Sequence, residues 1–252
     1  MSHLYWLDQE HLKRIQHMFP KPRGVARVDD RKVLSGIIHV IRNGLRWRDA
    51  PPEYGPHKTL YNRFRRWSRM GVFARILTEL AAEGDATSTL MIDATYLKAH
   101  RTASSMGLKK SGRGRLIGRT KGGLNSKLHA VTDDMGRPVR LFLTAGNVSD
   151  YIGARALLAS LPAAKWMLAD RGYDADWFRE GLKERNIEPC IPSRRNRNNP
   201  IPHNIKIYRN RHKIENMFGR LKDWRRVATR YDRCPILFFS AIALAATVLF
   251  WL

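Results

Sequence analysis

Three carboxylates stand where acidic residues are costly unless they do chemistry. Asp93 interrupts the apolar run Leu90-Met-Ile-Asp-Ala-Thr-Tyr-Leu97, and an ionised carboxylate in an apolar strand is expensive unless paired or metal-bound. Asp170 directly follows Trp166-Met-Leu-Ala169, with Gly172 at the next turn. Carboxyl ends of strands are where sites form in open α/β sheets, although a cap or turn role accounts for Asp170 equally well. Glu215 shares a predicted helix with Tyr208, Arg211 and Lys222, and at about 100° per residue all four fall within an arc of roughly 60°. A surface salt-bridge stripe is the plain alternative, because Arg211 and Glu215 are four residues apart. His212-x-x-Glu215 has no second ligand pair and does not read as a zinc site.

Three carboxylates converging at about 4 Å would repel by about 4 kcal/mol per pair at an effective dielectric of about 20. Bound cations relieve that repulsion, and hard oxygen ligands with open positions suit Mg²⁺ or Mn²⁺. Two such ions, about 3.5–4 Å apart, activate a nucleophile and stabilise a leaving oxygen in phosphoryl transfer. Spacing along the chain does not itself bring the three acids together; that is left to the fold.

The whole chain supports an anionic substrate. Its 252 residues carry 46 Lys plus Arg against 22 Asp plus Glu, a formal charge of +24. Self-repulsion of that size destabilises a compact state without a polyanion nearby, so nucleic acid is the first partner indicated and an anionic membrane surface the second. Small cationic substrates are disfavoured. At 43% hydrophobic, the chain can bury a real core. Cys190 and Cys234 are too few for a disulfide framework or a cysteine-rich zinc site. Met1 to Glu10 has no apolar run and does not read as a signal peptide. Ile236 to Leu252 is 17 residues without a charge, short of the about 20 a spanning helix needs. Its small residues Ser240, Ala241, Ala243, Ala245 and Ala246 favour a buried helix starting after Pro235.

The elements that must position the acids follow from periodicity. Residues 1–85 read as helical: Val33, Ile37, Ile38 and Ile41 form one helical stripe, and Leu60, Phe64, Trp67 and Phe73 another. Trp47 to His57 carries the breakers Pro51, Pro52, Gly55 and Pro56, and Thr59 is a candidate cap. Two helices with Arg63, Arg65 and Arg66 on the second suit a helix-turn-helix-like DNA-binding domain. Residues 86–252 read as a second domain: a strand at Leu90–Leu97, a basic Gly/Ser-rich loop over 98–121, and a hairpin turning at Asp133-Asp-Met-Gly-Arg-Pro138. A helix at 150–161, a strand at 165–169, a helix at 174–186, a strand at 188–192 and the C-terminal helix complete a mixed sheet covered by helices.

The residues around the acids carry a resemblance. Tyr208-x2-Arg211-x3-Glu215-x6-Lys222, Asp93-Ala-Thr followed by Ala99-His100, Gly122-Gly-Leu-Asn-Ser-Lys-Leu-His129 and Ala-Asp170-Arg-Gly-Tyr-Asp occur in that family's form. Together they resemble the DDE transposases of the bacterial insertion-sequence-five family, related to the insertion-sequence-four group. Ala94 stands where many relatives have Ser. The resemblance implies an α/β, RNase-H-like catalytic core behind a small all-helical DNA-binding domain. It implies Asp93, Asp170 and Glu215 as catalytic, metal-holding acids, with Mg²⁺ or Mn²⁺ bound as two ions. Tyr208, Arg211 and Lys222 would position phosphates or hold the catalytic helix. The activity implied is metal-dependent cleavage at insertion-sequence ends and transfer of the freed 3′-hydroxyl into target DNA; a catalytically silent or domesticated DNA-binding relative is the alternative. Partners would be double-stranded DNA, as terminal inverted repeats and target, and further copies of the chain in a synaptic complex, in the cytoplasm at the nucleoid and away from membranes. Arg63, Arg65 and Arg66 are candidates for the transposon end, and Arg113, Arg115, Arg119, Lys121, Arg225 and Arg226 for the DNA backbone.

Overall fold

The computed structural model describes residues 3–21, 28–84, 87–105 and 114–252. Its helices before the sheet are α1 (Gln9–Ile15), α2 (Asp30–Asn43), α3 (His57–Arg69) and α4 (Val72–Glu83). Then come β1 (Thr89–Ala99), α5 (Arg101–Ser104), β2 (Gly118–Thr120), β3 (Gly123–Thr132), β4 (Pro138–Ala145), α6 (Asp150–Leu158), β5 (Trp166–Leu168), α7 (Asp176–Lys183) and β6 (Glu188–Cys190). The last helices are α8 (Ile205–Tyr208), α9 (His212–Lys222), α10 (Arg225–Ala228) and α11 (Pro235–Phe250). The chain divides into two compact units: Met1–Leu80 with His100–Ser105 and Leu221–Leu252, and Ala81–Ala99 with Met106–Arg220.

The second unit is built on a mixed sheet ordered β2-β3-β1-β5-β6, with β4 also paired to β3. β1 is antiparallel to β3, with Asp93 opposite Ala130, and parallel to β5, with Met91 opposite Leu168. The β3–β4 hairpin is antiparallel and the β5–β6 pair parallel. Helix α6 packs on β1, β3 and β4, and α7 packs on β6. The α6 contact is tight: a Cβ on Gly153 would lie 2.1 Å from His129 Nδ1, so only glycine admits the imidazole. His129 Nε2 pairs with Thr144 Oγ1 at 2.9 Å, and burial pushes its pKa down to about 4.

The hairpin turn reaches beyond the hairpin. Buried Asp133 accepts from the backbone N–H groups of Met135 and Arg137, at 3.0 and 2.7 Å, and from Arg137 Nε at 2.7 Å. Gly136 adopts φ +81, and a Cβ there would meet the Lys213 carbonyl at 3.2 Å. Lys213 Nζ in turn donates to the Asp134 carbonyl at 2.6 Å. The first turn of α9 is thereby fastened to the sheet two residues before Glu215.

A second fastening follows Asp170. The Asp174 carboxylate has no exposed surface and accepts from Arg179 Nε at 2.8 Å and Arg197 Nη1 at 2.9 Å. The Arg194 N–H donates to it at 2.9 Å, and Arg179 Nη2 donates to the Ile191 carbonyl at 2.8 Å. Burial alone would raise the Asp174 pKa; the Arg194 N–H and the two guanidiniums outweigh it and hold the carboxyl below the usual range.

In the first unit, α2 buries Val33, Ile37, Ile38 and Ile41 against α3, which buries Leu60, Phe64 and Trp67. Three sequence expectations change. Thr59 lies inside α3, whose first turn follows Pro56 without a side-chain cap. The connection over residues 44–56 holds two 3-10 turns and exceeds the 3–4 residues of a helix-turn-helix corner. Helix α11 packs on α2 and α3, so the apolar C-terminal stretch is a buried core helix within the unit that holds them. No helix among the described residues is long and apolar enough to cross a membrane. The basic stretch expected as one loop over 98–121 includes the end of β1, α5 and β2; residues 106–113, Arg113 among them, lie outside the described residues.

Two stability predictions arise from these buried charges. His129 is neutral when folded and protonates more readily when unfolded. Its contribution is therefore full above about pH 6.5 and fades as pH falls toward about 4, by at most about tenfold in the folding constant per pH unit. Denaturant melts across this range should show that slope, and His129→Gln should flatten it. Asp174→Asn leaves two guanidiniums short of a charge partner and should cost about 3–5 kcal/mol of unfolding free energy, read from urea midpoints.

Candidate active site: Asp93 and Glu215 linked through Arg211

The parallel register of β1 and β5 places Met91 beside Leu168. Two residues further along each strand come Asp93 and Asp170, and neighbouring strands lie about 4.8 Å apart. The side chains reflect this. Burial is the larger cause raising the Asp93 pKa, and the negative charge of Asp170 adds to it; the Ala94 N–H and Arg211 oppose both. Asp93 Oδ1 accepts from Ala94 N at 2.7 Å, a backbone donor that does not depend on the side chain at position 94. Asp170 caps the 3-10 turn Arg171–Tyr173, its Oδ1 accepting from Gly172 N at 2.8 Å. A Cβ on Gly172 would lie 2.8 Å from that oxygen. Capping and a place beside Asp93 therefore coexist in one carboxylate.

Glu215 reaches Asp93 through a cation. Arg211 Nη1 donates to Asp93 Oδ2 at 2.9 Å, and Arg211 Nη2 donates to Glu215 Oε1. Burial works against the guanidinium's charge, but Asp93 and Glu215 outweigh it and raise its pKa. Burial raises the pKa of the Tyr208 phenol, with the charge of Arg211 opposing and that of Asp170 adding. The segment is not the single helix expected from the sequence: a 3-10 turn, Arg209–Arg211, separates α8 from α9. The tighter turn still leaves Arg211 and Glu215 paired, and frees the second arm of Arg211 for the sheet. Lys222 lies exposed in the last turn of α9 and belongs to the helical unit.

Tyr173 was not singled out from the sequence, although it stands in the Asp170-Arg-Gly-Tyr-Asp motif. Its ring is buried and its hydroxyl has no hydrogen-bond partner among the described residues. Burial raises its pKa well above the ordinary value, and the charges of Asp150, Asp93 and Asp170 add to that. A neutral phenol beside Asp93 and Asp170 adds no charge to an already anionic corner.

The donor set suits a hard divalent ion: carboxylate oxygens, two half-buried and one exposed, with no thiolate or imidazole among the three acids. The fit is partial. Among the described residues no group of three His, Cys, Asp or Glu side chains is gathered closely enough to hold a metal ion. Asp93 feels the charge of Asp170, whereas Glu215 is held on Arg211. Asp93, Arg211 and Glu215 form a carboxylate–guanidinium–carboxylate chain, in which a guanidinium supplies the positive charge.

The basic candidates separate into two kinds. Arg63 is committed to Asp30 at 3.0 Å and lies over the Trp67 ring. Arg226 is buried, bonded to the Leu45 carbonyl at 2.8 Å and to Asp232 at 3.1 Å. Arg65, Arg66, Arg119, Lys121 and Arg225 are exposed, and Arg115 is half-buried.

Comparison with known proteins agrees with this architecture. Residues 7–77 match the family described as "Putative transposase of IS4/5 family", and residues 85–251 match "Transposase DDE domain". The chain is 33% identical over 131 residues to the "Putative transposase for insertion sequence element IS6501" of Brucella ovis, covering 51% of this chain and 99% of that protein. It is 27% identical over 167 residues to the transposase for insertion sequence element IS1106 of Neisseria meningitidis serogroup B, covering 58% of each. Among solved structures, a piggyBac transposase synaptic complex with hairpin DNA aligns with a TM-score of 0.55 at 9% identity, covering 97% of this chain and 72% of that one. At that identity the likeness speaks for the fold, which is RNase-H-like. With the DDE-domain match spanning residues 85–251, this chain belongs to the DDE transposases of the IS4/5 family.

Proposed function

We propose that Asp93, Asp170 and Glu215 are the catalytic acids of this transposase, that they hold Mg²⁺ or Mn²⁺ as a pair of ions, and that the substrate is double-stranded DNA at the element's terminal repeats and at the target. The observation that carries this is the position of Asp93 and Asp170, each two residues beyond the last parallel pair Met91–Leu168, with Glu215 joined to Asp93 through Arg211. Such an arrangement of charge in a half-buried corner is costly for a structural role and useful for phosphoryl transfer. Divalent metal bound there would supply the charge that activates an attacking oxygen and neutralises a leaving one.

The reaction balances in two displacements. Water attacks a phosphorus at the element's end, the bond from phosphorus to the 3′-oxygen breaks, and that oxygen leaves as a 3′-hydroxyl once protonated. The hydroxyl then attacks a target phosphodiester, losing its proton as the target's own 3′-oxygen departs. In this reading Arg211, with a fork of donors, meets a phosphate in the bidentate manner that guanidinium geometry favours, and Tyr208 orients Arg211. Lys222 is assigned to phosphate as a compact point charge. Exposed Arg65, Arg66, Arg119, Lys121 and Arg225 are the proposed backbone contacts, joined by Arg113 and Arg115 of the basic stretch. Arg63 and Arg226 serve the fold of the helical unit first. The working form is a homo-oligomer that holds both element ends, acting in the cytoplasm at the nucleoid.

End-labelled DNA carrying the terminal repeats, incubated with Mg²⁺, should give both cleaved and target-joined products. Asp93→Asn, Asp170→Asn and Glu215→Gln should each lower cleavage more than about a hundredfold, beyond the 10–100-fold typical of residues that only support metal ligands. Binding measured by gel shift should change little. Cleavage that survives all three changes, or equal loss of binding in all three, would remove the acids from the reaction.

A further inference from the structure

We infer that Arg211 is an internal counter-ion standing where divalent metal is needed, and that a DNA phosphate completes the acid site by drawing Arg211 away. This rests on the reading of Asp93, Asp170 and Glu215 as metal-holding acids. Arg211 is unusual in how its donors are spent. One arm makes the helical i,i+4 contact to Glu215, which by itself is an ordinary surface pair. The other crosses 118 residues of sequence to Asp93 at 2.9 Å. A stripe salt bridge has no need of that second arm. The result is one cation shared between two of the three acids, with Glu215 turned to the guanidinium. Meanwhile no described group of three acids is close enough to bind metal.

The consequences follow from charge. Metal entering between the acids must displace a guanidinium that already neutralises them, so Arg211 competes with metal for the same oxygens. A guanidinium cannot leave by losing its proton, because its pKa exceeds about 12 in proteins. It leaves only for a better anion. A phosphodiester is such an anion, with two non-bridging oxygens that take two parallel N–H donors, and the chain's +24 charge brings phosphates close. Once Arg211 turns to phosphate, Asp93 loses its counter-ion and Glu215 is released on a helix whose first turn is fixed by Lys213 to the Asp134 carbonyl. DNA and metal then favour each other's binding, as two ligands of one equilibrium must. Without DNA, Arg211 keeps the acids neutralised and metal-poor, which limits hydrolysis away from a bound substrate.

The test measures Mn²⁺ affinity of the full chain by electron paramagnetic resonance, with and without a short DNA duplex. Asp170→Asn chains define binding elsewhere. Wild type, Arg211→Gln and Arg211→Lys are compared, with circular dichroism to confirm folding; Arg211→Lys keeps a charge without the two-armed reach and serves if the glutamine variant unfolds. Without DNA, Arg211→Gln should bind Mn²⁺ about tenfold more tightly than wild type, with Arg211→Lys between them. The duplex should tighten Mn²⁺ binding in wild type by about the same factor and in Arg211→Gln hardly at all, within the range of coupling common between linked sites. Equal Mn²⁺ affinity in wild type and both variants, with binding still dependent on Asp170, would overturn the counter-ion role while leaving the acids as metal ligands. Mn²⁺ binding indifferent to Asp170 in every chain would overturn both.

Discussion

The cost of keeping Asp93 charged in a half-buried corner next to Asp170 governs the rest of the second unit. Burial raises the Asp93 pKa and Asp170 raises it further, so the pair is tolerable only with positive charge supplied from outside the sheet. Arg211 supplies it. The segment bearing Arg211 must therefore be held at the sheet, and the β3–β4 turn does this through Gly136, Asp134 and Lys213. A turn that looks like a routine hairpin closure thus sets the position of the helix that carries the third acid.

The sheet register acts as a ruler for the first two acids. Antiparallel pairing fixes Asp93 against Ala130, and parallel pairing fixes Met91 against Leu168. A slip of one residue would turn Asp93 to the opposite face. The surroundings resist such a slip. Gly153 leaves no room for anything but the His129 ring, and Asp174 ties the segment after Asp170 to Arg179, Arg194 and Arg197. The catalytic role proposed for these acids calls for this kind of support, since small displacements of reacting groups cost large factors in rate. Likeness in fold to a transposase at 9% identity is understandable on these terms: strand order and register are what hold the acids, and many side chains can satisfy them.

Positive charge serves two ends in this chain. Part of it is internal. Arg63 pairs with Asp30, Arg179 with Asp174, Arg211 with two acids, and Arg226 with Asp232. The exposed remainder, including Arg65, Arg66, Arg119, Lys121 and Arg225, is available to a polyanion. A formal charge of +24 counts both alike, so composition indicates a nucleic-acid partner without saying which arginines meet it.

The residues alone were enough to find the hairpin, the run of strands and helices after residue 88, and the family, and to single out three acids for the proposed site. The reason is that each was written in local pattern: an acid inside an apolar run, Asp-Asp-x-Gly between two strands, and a tyrosine, arginine, glutamate and lysine at set spacing. Helical periodicity likewise marked α2, α3 and α11 as amphipathic or buried. What it could not decide depends on contacts between distant residues. Asp93 and Glu215 are joined through Arg211, because its second arm finds a partner 118 residues away. The α8–α9 segment is broken by a 3-10 turn, α11 packs with α2 and α3, Tyr173 is buried beside Asp93 and Asp170, and Arg226 is spent within the fold. Local pattern says which face of an element is apolar; only tertiary packing says what that face meets and which charge neutralises which.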